Sequence, residues 1–355
     1  FALFFGDYAI AAKAAKDCID LKKYSLNPDY TSLFLTKNAA ESIFLIPRSL
    51  ENNISLFVRN FIPRNTGGWA GWDPSYALLA SYECTDGLPV DESPLFNSKL
   101  PFKNRDPRCT ATIVEFGTTF MGIVFDPHPD ALKVMNYTTG KLIKNNDTRA
   151  NAQFASFNGL VQKKGIDDSW ALNAYYVDPD QVIIRYADVL LMYAEAKIEL
   201  NQIDATVLDA INQVRARAYG VNKSDVAKYP SVTATDQGGL RKILRRERRM
   251  ELAKEGLRYY DLIRWKIAGK ALNNLNCGLL YPASLLKQKV VTPGLWFWPS
   301  TPQIDEDGIA DFSEMVNNGY LQVLSQGGWN DRQYLWPIPS KEIQINSNMT
   351  QNQGY

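Results

Sequence analysis

The residues of this chain best suited to chemistry are aromatic side chains set among small polar ones. In Asn65-Thr66-Gly67-Gly68-Trp69-Ala70-Gly71-Trp72-Asp73, two tryptophans stand three residues apart between glycines, with Asn65 and Asp73 at the ends. Indole faces stack on the C–H faces of sugar rings, and Asn or Asp pairs with their hydroxyls. Glycines let a backbone approach a bound molecule closely. Asn65, Trp69, Trp72 and Asp73 are therefore candidate ligand contacts. Leu295-Trp296-Phe297-Trp298-Pro299 adds Trp296 and Trp298. Three consecutive aromatics cannot all face one way, so at least one of them must pack inward. Trp170, Tyr175 and Tyr176 lead into an apolar segment and read as core or near-core.

A second concentration of chemistry is ionic. Glu247, Glu251 and Glu255 recur every four residues and line one helix face. Arg258 and Arg264 follow Gly256, where a chain folding back would bring guanidinium groups onto those carboxylates. So many arginines work against the raised pKa that a general acid needs, and the pattern reads as a structural salt-bridge web. The sequence also lacks a Gly-x-Ser-x-Gly elbow, a phosphate-cradling glycine loop and His-Glu-x-x-His. No catalytic residue is assigned, and the expectation is that the chain is not an enzyme.

Metals and cofactors fare no better. His128 is the sole histidine, which excludes a zinc site built on histidines. The acidic run Asp305-Glu306-Asp307-Gly308-Ile309-Ala310-Asp311 has the composition of a calcium loop without its register or closing glutamate, so no metal is assigned and a solvated turn is expected. Cys18, Cys84, Cys109 and Cys277 sit at no metal or redox spacing; two disulfides and four free thiols both remain open. With Lys+Arg 39 against Asp+Glu 38, no nucleic-acid footprint is visible, and no apolar run is long enough to span a bilayer.

The elements that must position these groups are mainly helical. Tyr8–Leu21 is alanine-rich and reads as a closely packed helix; Val182–Leu200, apolar on nearly every face, reads as a central buried one. Asp204–Tyr219, Gly239–Glu255 and Tyr259–Ala268 read as further helices, and Ser75–Tyr82 as a short one. Glu41–Phe61 reads as extended, with Ile43, Leu45, Leu56 and Val58 as core positions. Extended pieces are also expected near Ala111–Val114 and Thr119–Phe125 in an otherwise irregular 88–180. The chain after Gly269 reads as mostly loop, with Ser340 capping one turn.

Four blocks in order carry a resemblance: Ile184–Ala196, Ala210–Ala218, Glu247–Trp265, and Tyr334–Pro339 running on to Asn348–Tyr355. Together they resemble the signature of the SusD/RagB family, nutrient-binding lipoproteins of the Bacteroidetes outer membrane. The resemblance implies a mainly α fold: a tetratricopeptide-containing helical scaffold with long aromatic-rich loops and a few short strands. Residues 1–355 then form one such domain lacking its N-terminal portion, with scaffold at 1–25 and 181–270 and loop-rich insertions at 26–180 and 271–355. The resemblance further implies a cell-surface protein held by a lipid anchor upstream of this chain. Its partners would be an oligosaccharide or peptide and a SusC-like TonB-dependent transporter barrel that it covers as a lid. Two other roles fit the same scaffold: a structural subunit of the barrel assembly that binds no ligand, and a helical-repeat adaptor between proteins.

Overall fold

The computed structural model describes residues 1–166 and 173–355; Trp170 lies outside the described residues. Helix α1 (Tyr8–Asp20) is followed by one turn, α2 (Tyr30–Leu33), and by strands β1 (Ser42–Ile46) and β2 (Leu56–Phe57). Short helices α3 (Tyr76–Ser81) and α4 (Arg108–Thr112) precede a four-stranded antiparallel meander, β3 (Thr118–Phe120), β4 (Ile123–Phe125), β5 (Lys133–Asn136) and β6 (Lys141–Lys144). Strands β7 (Tyr176–Val177) and β8 (Gln181–Arg185) return to pair antiparallel with β2 and β1. The helical scaffold follows as α5 (Tyr186–Glu199), α6 (Ala205–Ala218), α7 (Gln237–Glu251) and α8 (Arg258–Arg264). Strands β9 (Leu275–Leu279), β10 (Gln303–Ile304), β11 (Ala310–Asp311) and β12 (Leu321–Gln326) complete two further antiparallel pairs, β9 with β12 and β10 with β11.

Helix α5 is the hub. It packs against α1, α6 and α7, which explains why it is apolar almost all round. Small residues, Ala15 on α1 with Ala187 and Ala194 on α5, are buried in this core alongside Leu191 and Val214. Asp204 accepts the Thr206 N–H at 2.9 Å to start α6, and Gly220, at φ 64°, ends it. A larger core lies between α3 and the β9–β12 pair, built on Tyr76, Tyr82, Phe297, Trp298 and Phe312. Among the described residues no helix is long and apolar enough to cross a membrane.

Several sequence expectations change. The segment Val182–Leu200 is not one helix: the β-branched run before Tyr186 is β8, paired with β1 through Leu45 opposite Val182. Helix α7 stops at Glu251, because Lys254 (φ 64°) and Gly256 (φ 83°) turn the chain through left-handed conformations. Ala111 and Thr112 close α4 and are not extended. Thr119–Phe125 is extended as expected and forms most of β3 and β4, while the stretches read as loop hold β5, β6 and strands β9–β12, whose alternation is too short to stand out. Ile43, Leu45 and Leu56 are only half-buried, while Val58 is buried. Tyr176 is exposed. Ser340 begins the helix Ser340–Ile345 without capping it, since its side chain makes no such bond and Pro339 holds the cap position. All four cysteines are free thiols.

Candidate functional site

The loop from Val58 to Asp73 is fixed by its own backbone. The Trp69 N–H donates to the Arg59 carbonyl at 2.7 Å, Ala70 N–H to Ile62 at 3.1 Å, and Gly71 N–H to Asn60 at 2.9 Å. Gly68 is obligatory here, because a Cβ on it would lie 2.1 Å from the Ile62 carbonyl oxygen. Arg59 reaches across the loop, donating from Nε to the Gly67 carbonyl at 2.8 Å. Its guanidinium lies 5.1 Å from the Trp69 ring and 5.0 Å from the Tyr175 ring, a cation–π sandwich that holds the indole in place. Phe57 also meets Trp69 edge-on at 5.7 Å. The indole nevertheless stays 44% exposed. It is rigid and presented.

Beside Trp69 opens a cleft of about 460 Å³, a size suited to a small ligand. Trp69, Ala70, Gly71 and Asp73 form one wall; Phe154 and Phe157 form another, and Asn276 and Leu324 from the β9–β12 pair close it. Phe154 is 59% exposed and Phe157 44%. The Leu279 N–H donates to the Phe157 carbonyl at 2.9 Å, and Gly278 permits that contact, since a Cβ there would lie 2.6 Å from the same oxygen. Polar groups sit among the rings. Asn158 is held by the Pro74 carbonyl and the Leu160 N–H at 2.8 and 2.9 Å. The Asp73 Oδ1 is buried without a hydrogen-bond partner among the described residues. Burial pushes the Asp73 carboxyl up to about 8, against the opposing pull of a Ser156 hydrogen bond and the Lys254 charge.

The remaining candidates are dispersed. Trp72 is 58% exposed, lies edge-on to Phe61 at 5.1 Å, and does not line the cleft. Asn65 is already engaged: its Nδ2 donates to Asn145 Oδ1 at 3.0 Å and its Oδ1 accepts the Asn146 N–H at 2.8 Å, tying two loops together. Trp298 is fully buried, packed edge-on against Tyr76 and Phe312 at 5.5 and 5.3 Å, and is a core residue rather than a ligand contact. Trp296 stays half-buried and lines a different cleft. Phe154, Phe157 and Asn276 escaped the sequence reading because they come from separate segments; only the close approach at Gly278 hints at them.

The acidic run Asp305–Asp311 makes the hairpin turn after β10, at 305–309, and then β11 itself. Asp305 Oδ1 accepts the Asp307 and Ile309 N–H groups at 2.9 Å, while Lys270 and Arg245 each lie 2.7 Å from Asp307 oxygens. Asp305 and Asp307 are thus engaged by cations of the chain itself.

Glu247, Glu251 and Glu255 do form a buried ionic web, but with other partners than expected. Arg108 Nη1 donates to Glu247 at 2.6 Å and Glu251 at 2.9 Å. Arg185 bonds Glu41, Glu251 and Glu255 at 2.6–2.7 Å, and Arg217 bonds Glu41 and Glu251. Burial pushes the Glu251 carboxyl up, but Arg217, Arg185 and Arg108 more than reverse this and hold it far below the usual carboxylate range. Arg264 instead pairs with Glu195 and Asp261, and the Trp265 indole N–H donates to Glu195 at 2.7 Å. Arg258 carries no ion pair among the described residues; it borders a separate cavity with Arg249. This region fastens α4 and the scaffold helices together.

The web joins the ends of α5, α6 and α7 to α4, so three of the quoted blocks, Ile184–Ala196, Ala210–Ala218 and Glu247–Trp265, meet in space where they carry charge. A family model, the SusD family, matches residues 40–355. The chain belongs to the SusD family. A SusD-like protein, P25 of Formosa agariphila, is 32% identical over 141 residues, covering 40% of this chain and 25% of that protein. A SusD-like carbohydrate binding protein from Bacteroides fragilis is 29% identical with a TM-score of 0.71, over 98% of this chain and 62% of its own. A surface glycan-binding protein A from Bacteroides fluxus, 19% identical with a TM-score of 0.53, shares the fold. This SusD-family chain spans less than two thirds of the length of these relatives. The SusD-like fold it shares with them is mainly helical with small sheets, as the resemblance implies.

Proposed function

We propose that this SusD-family chain captures an oligosaccharide at the cell surface, in the cleft beside Trp69. The observation that carries the reading is the indole itself: it is held by Arg59 and Phe57 yet exposed, and it faces a cleft with Phe154 and Phe157 among polar groups. A preset platform loses little entropy on binding, which is what stacking on a sugar ring requires. The described relative from Bacteroides fragilis is named as carbohydrate binding, and this supports the same ligand class here. No bond is made or broken in this reading; the chain binds and releases.

Within it, the family resemblance supplies the setting: a lipid-anchored protein on the outer membrane that closes over a SusC-like TonB-dependent barrel as its lid. Native electrophoresis in gels containing single polysaccharides tests the binding part. Retardation in at least one gel, relieved by Trp69→Ala, is the expected result. Equal retardation of both proteins places the ligand elsewhere, and no retardation in any gel removes the reading. Co-purification with a barrel partner from outer membranes tests the setting.

A further inference from the structure

A second cleft, of about 300 Å³, has Trp296 as one wall and Phe102 and Phe116 among its other lining groups. Trp296 differs from its neighbours in sequence. Phe297 and Trp298 are wholly buried, whereas Trp296 stays half-exposed, braced edge-on by Phe297 at 5.3 Å and by the His128 ring at 4.9 Å.

The polar side of this cleft is set by Asp126-Pro127-His128-Pro129. The two prolines fix the backbone, and the His128 N–H donates to Asp126 Oδ1 at 2.9 Å. His128 Nδ1 accepts the Asp130 N–H at 3.1 Å, so the neutral ring carries its proton on Nε2. Among the described residues neither His128 Nε2 nor Asp126 Oδ2 has a hydrogen-bond partner. One donor and one acceptor therefore belong to residues that line the same cleft as the braced indole. Lys103 pairs with Glu115 at 2.9 Å, which keeps that part of the rim close to neutral. Neither the Trp69 cleft nor the ionic web uses any of these groups.

We propose that this cleft is a second carbohydrate subsite, taking one neutral pyranose ring over Trp296 with adjacent hydroxyls on Asp126 and His128. The proposal rests on the glycan-binding reading and adds to it that a long chain is gripped at two points. Two linked contacts raise the affinity for a polymer above that for a short fragment bound at one of them.

The test is calorimetric titration of starch, xylan, laminarin and pectic galactan, each as polymer and as short oligosaccharide, into wild type, Trp69→Ala, Trp296→Ala and Asp126→Asn. Asp126→Asn is included because Trp296 also packs on Phe297, and loss of the indole has a folding cost. The expected result is a loss of about tenfold or more in polymer affinity for both Trp296→Ala and Asp126→Asn, with short-oligosaccharide binding unchanged. If Trp69→Ala weakens polymer binding and these two variants do not, the subsite is refuted and the Trp69 reading stands. If these two abolish all binding and Trp69→Ala none, this cleft is the binding site and the Trp69 placement fails. Wild type that binds no probe overturns both.

Discussion

Arg185 donates from Nη1 to Glu251 Oε1 at 2.6 Å, joining the last residue of β8, which precedes α5, to the last residue of α7 across 66 positions of sequence, with both side chains buried. Glu251 also receives Arg108 and Arg217, so one carboxylate gathers three cations. Buried charges of this kind are stable only as a set, because each member left alone carries its full desolvation cost.

Glu251→Gln should therefore be severely destabilising. Losing the carboxylate leaves Arg108, Arg185 and Arg217 short of counter-charge, at a cost of about 3–5 kcal/mol. Urea unfolding should show the midpoint falling without a change of slope.

Acid should act through the same residues. Glu251 and Glu255 are both held below their ordinary range: burial raises them, and the arginines, with Lys164 for Glu255, outweigh it. A depressed folded-state pKa gives stability that is present above the unfolded value, about 4.3, and is lost as pH falls below it. Melting temperature should drop steeply below about pH 4.5, and less steeply in Glu251→Gln, which has already lost this contribution.

Asp73 should give the opposite slope. Its folded pKa of about 8 lies above the unfolded value of about 3.9, so its contribution is whole below pH 4 and lost as pH rises towards 8. Asp73→Asn should remove that slope, leaving the variant more stable than wild type at pH 8 by about 1–2 kcal/mol once the open cleft is allowed for. Thermal melts at pH 5 and pH 8 measure the difference.

The two tryptophans singled out by similar composition should behave in opposite ways. Trp298→Ala empties a core position between Tyr76 and Phe312 and should cost about 3–5 kcal/mol. Trp72→Ala, on an exposed ring outside the cleft, should change stability by about 0.5 kcal/mol or less. Denaturant titration of both variants makes the comparison.

How much of this was legible in the sequence depended on distance along the chain. Helix α6 could be read because Val207, Ala210, Ile211 and Val214 repeat at helical spacing between Asp204 and Gly220. The glutamates of α7 could be read as an ionic face, but not their partners, since Arg108 and Arg185 arrive from 143 and 66 residues away. Arg258, adjacent in sequence, was the natural choice and is the one without an ion pair among the described residues. At the cleft, the Trp69 loop stood out by composition. Composition does not give orientation, so Trp298 and Asn65 looked equally suitable until packing placed one in the core and tied the other to Asn145 and Asn146. Phe154 and Phe157 had no local signal, because the cleft exists only once their segment lies on β9.

The most direct test of the central claim is calorimetric titration of wild type and Trp69→Ala with a panel of neutral oligosaccharides, alongside melting curves for both proteins. Saturable binding to one glycan class, weakened about tenfold or more in Trp69→Ala at unchanged melting temperature, is the expected result. Binding of equal strength in the two proteins, or none in either, would contradict it.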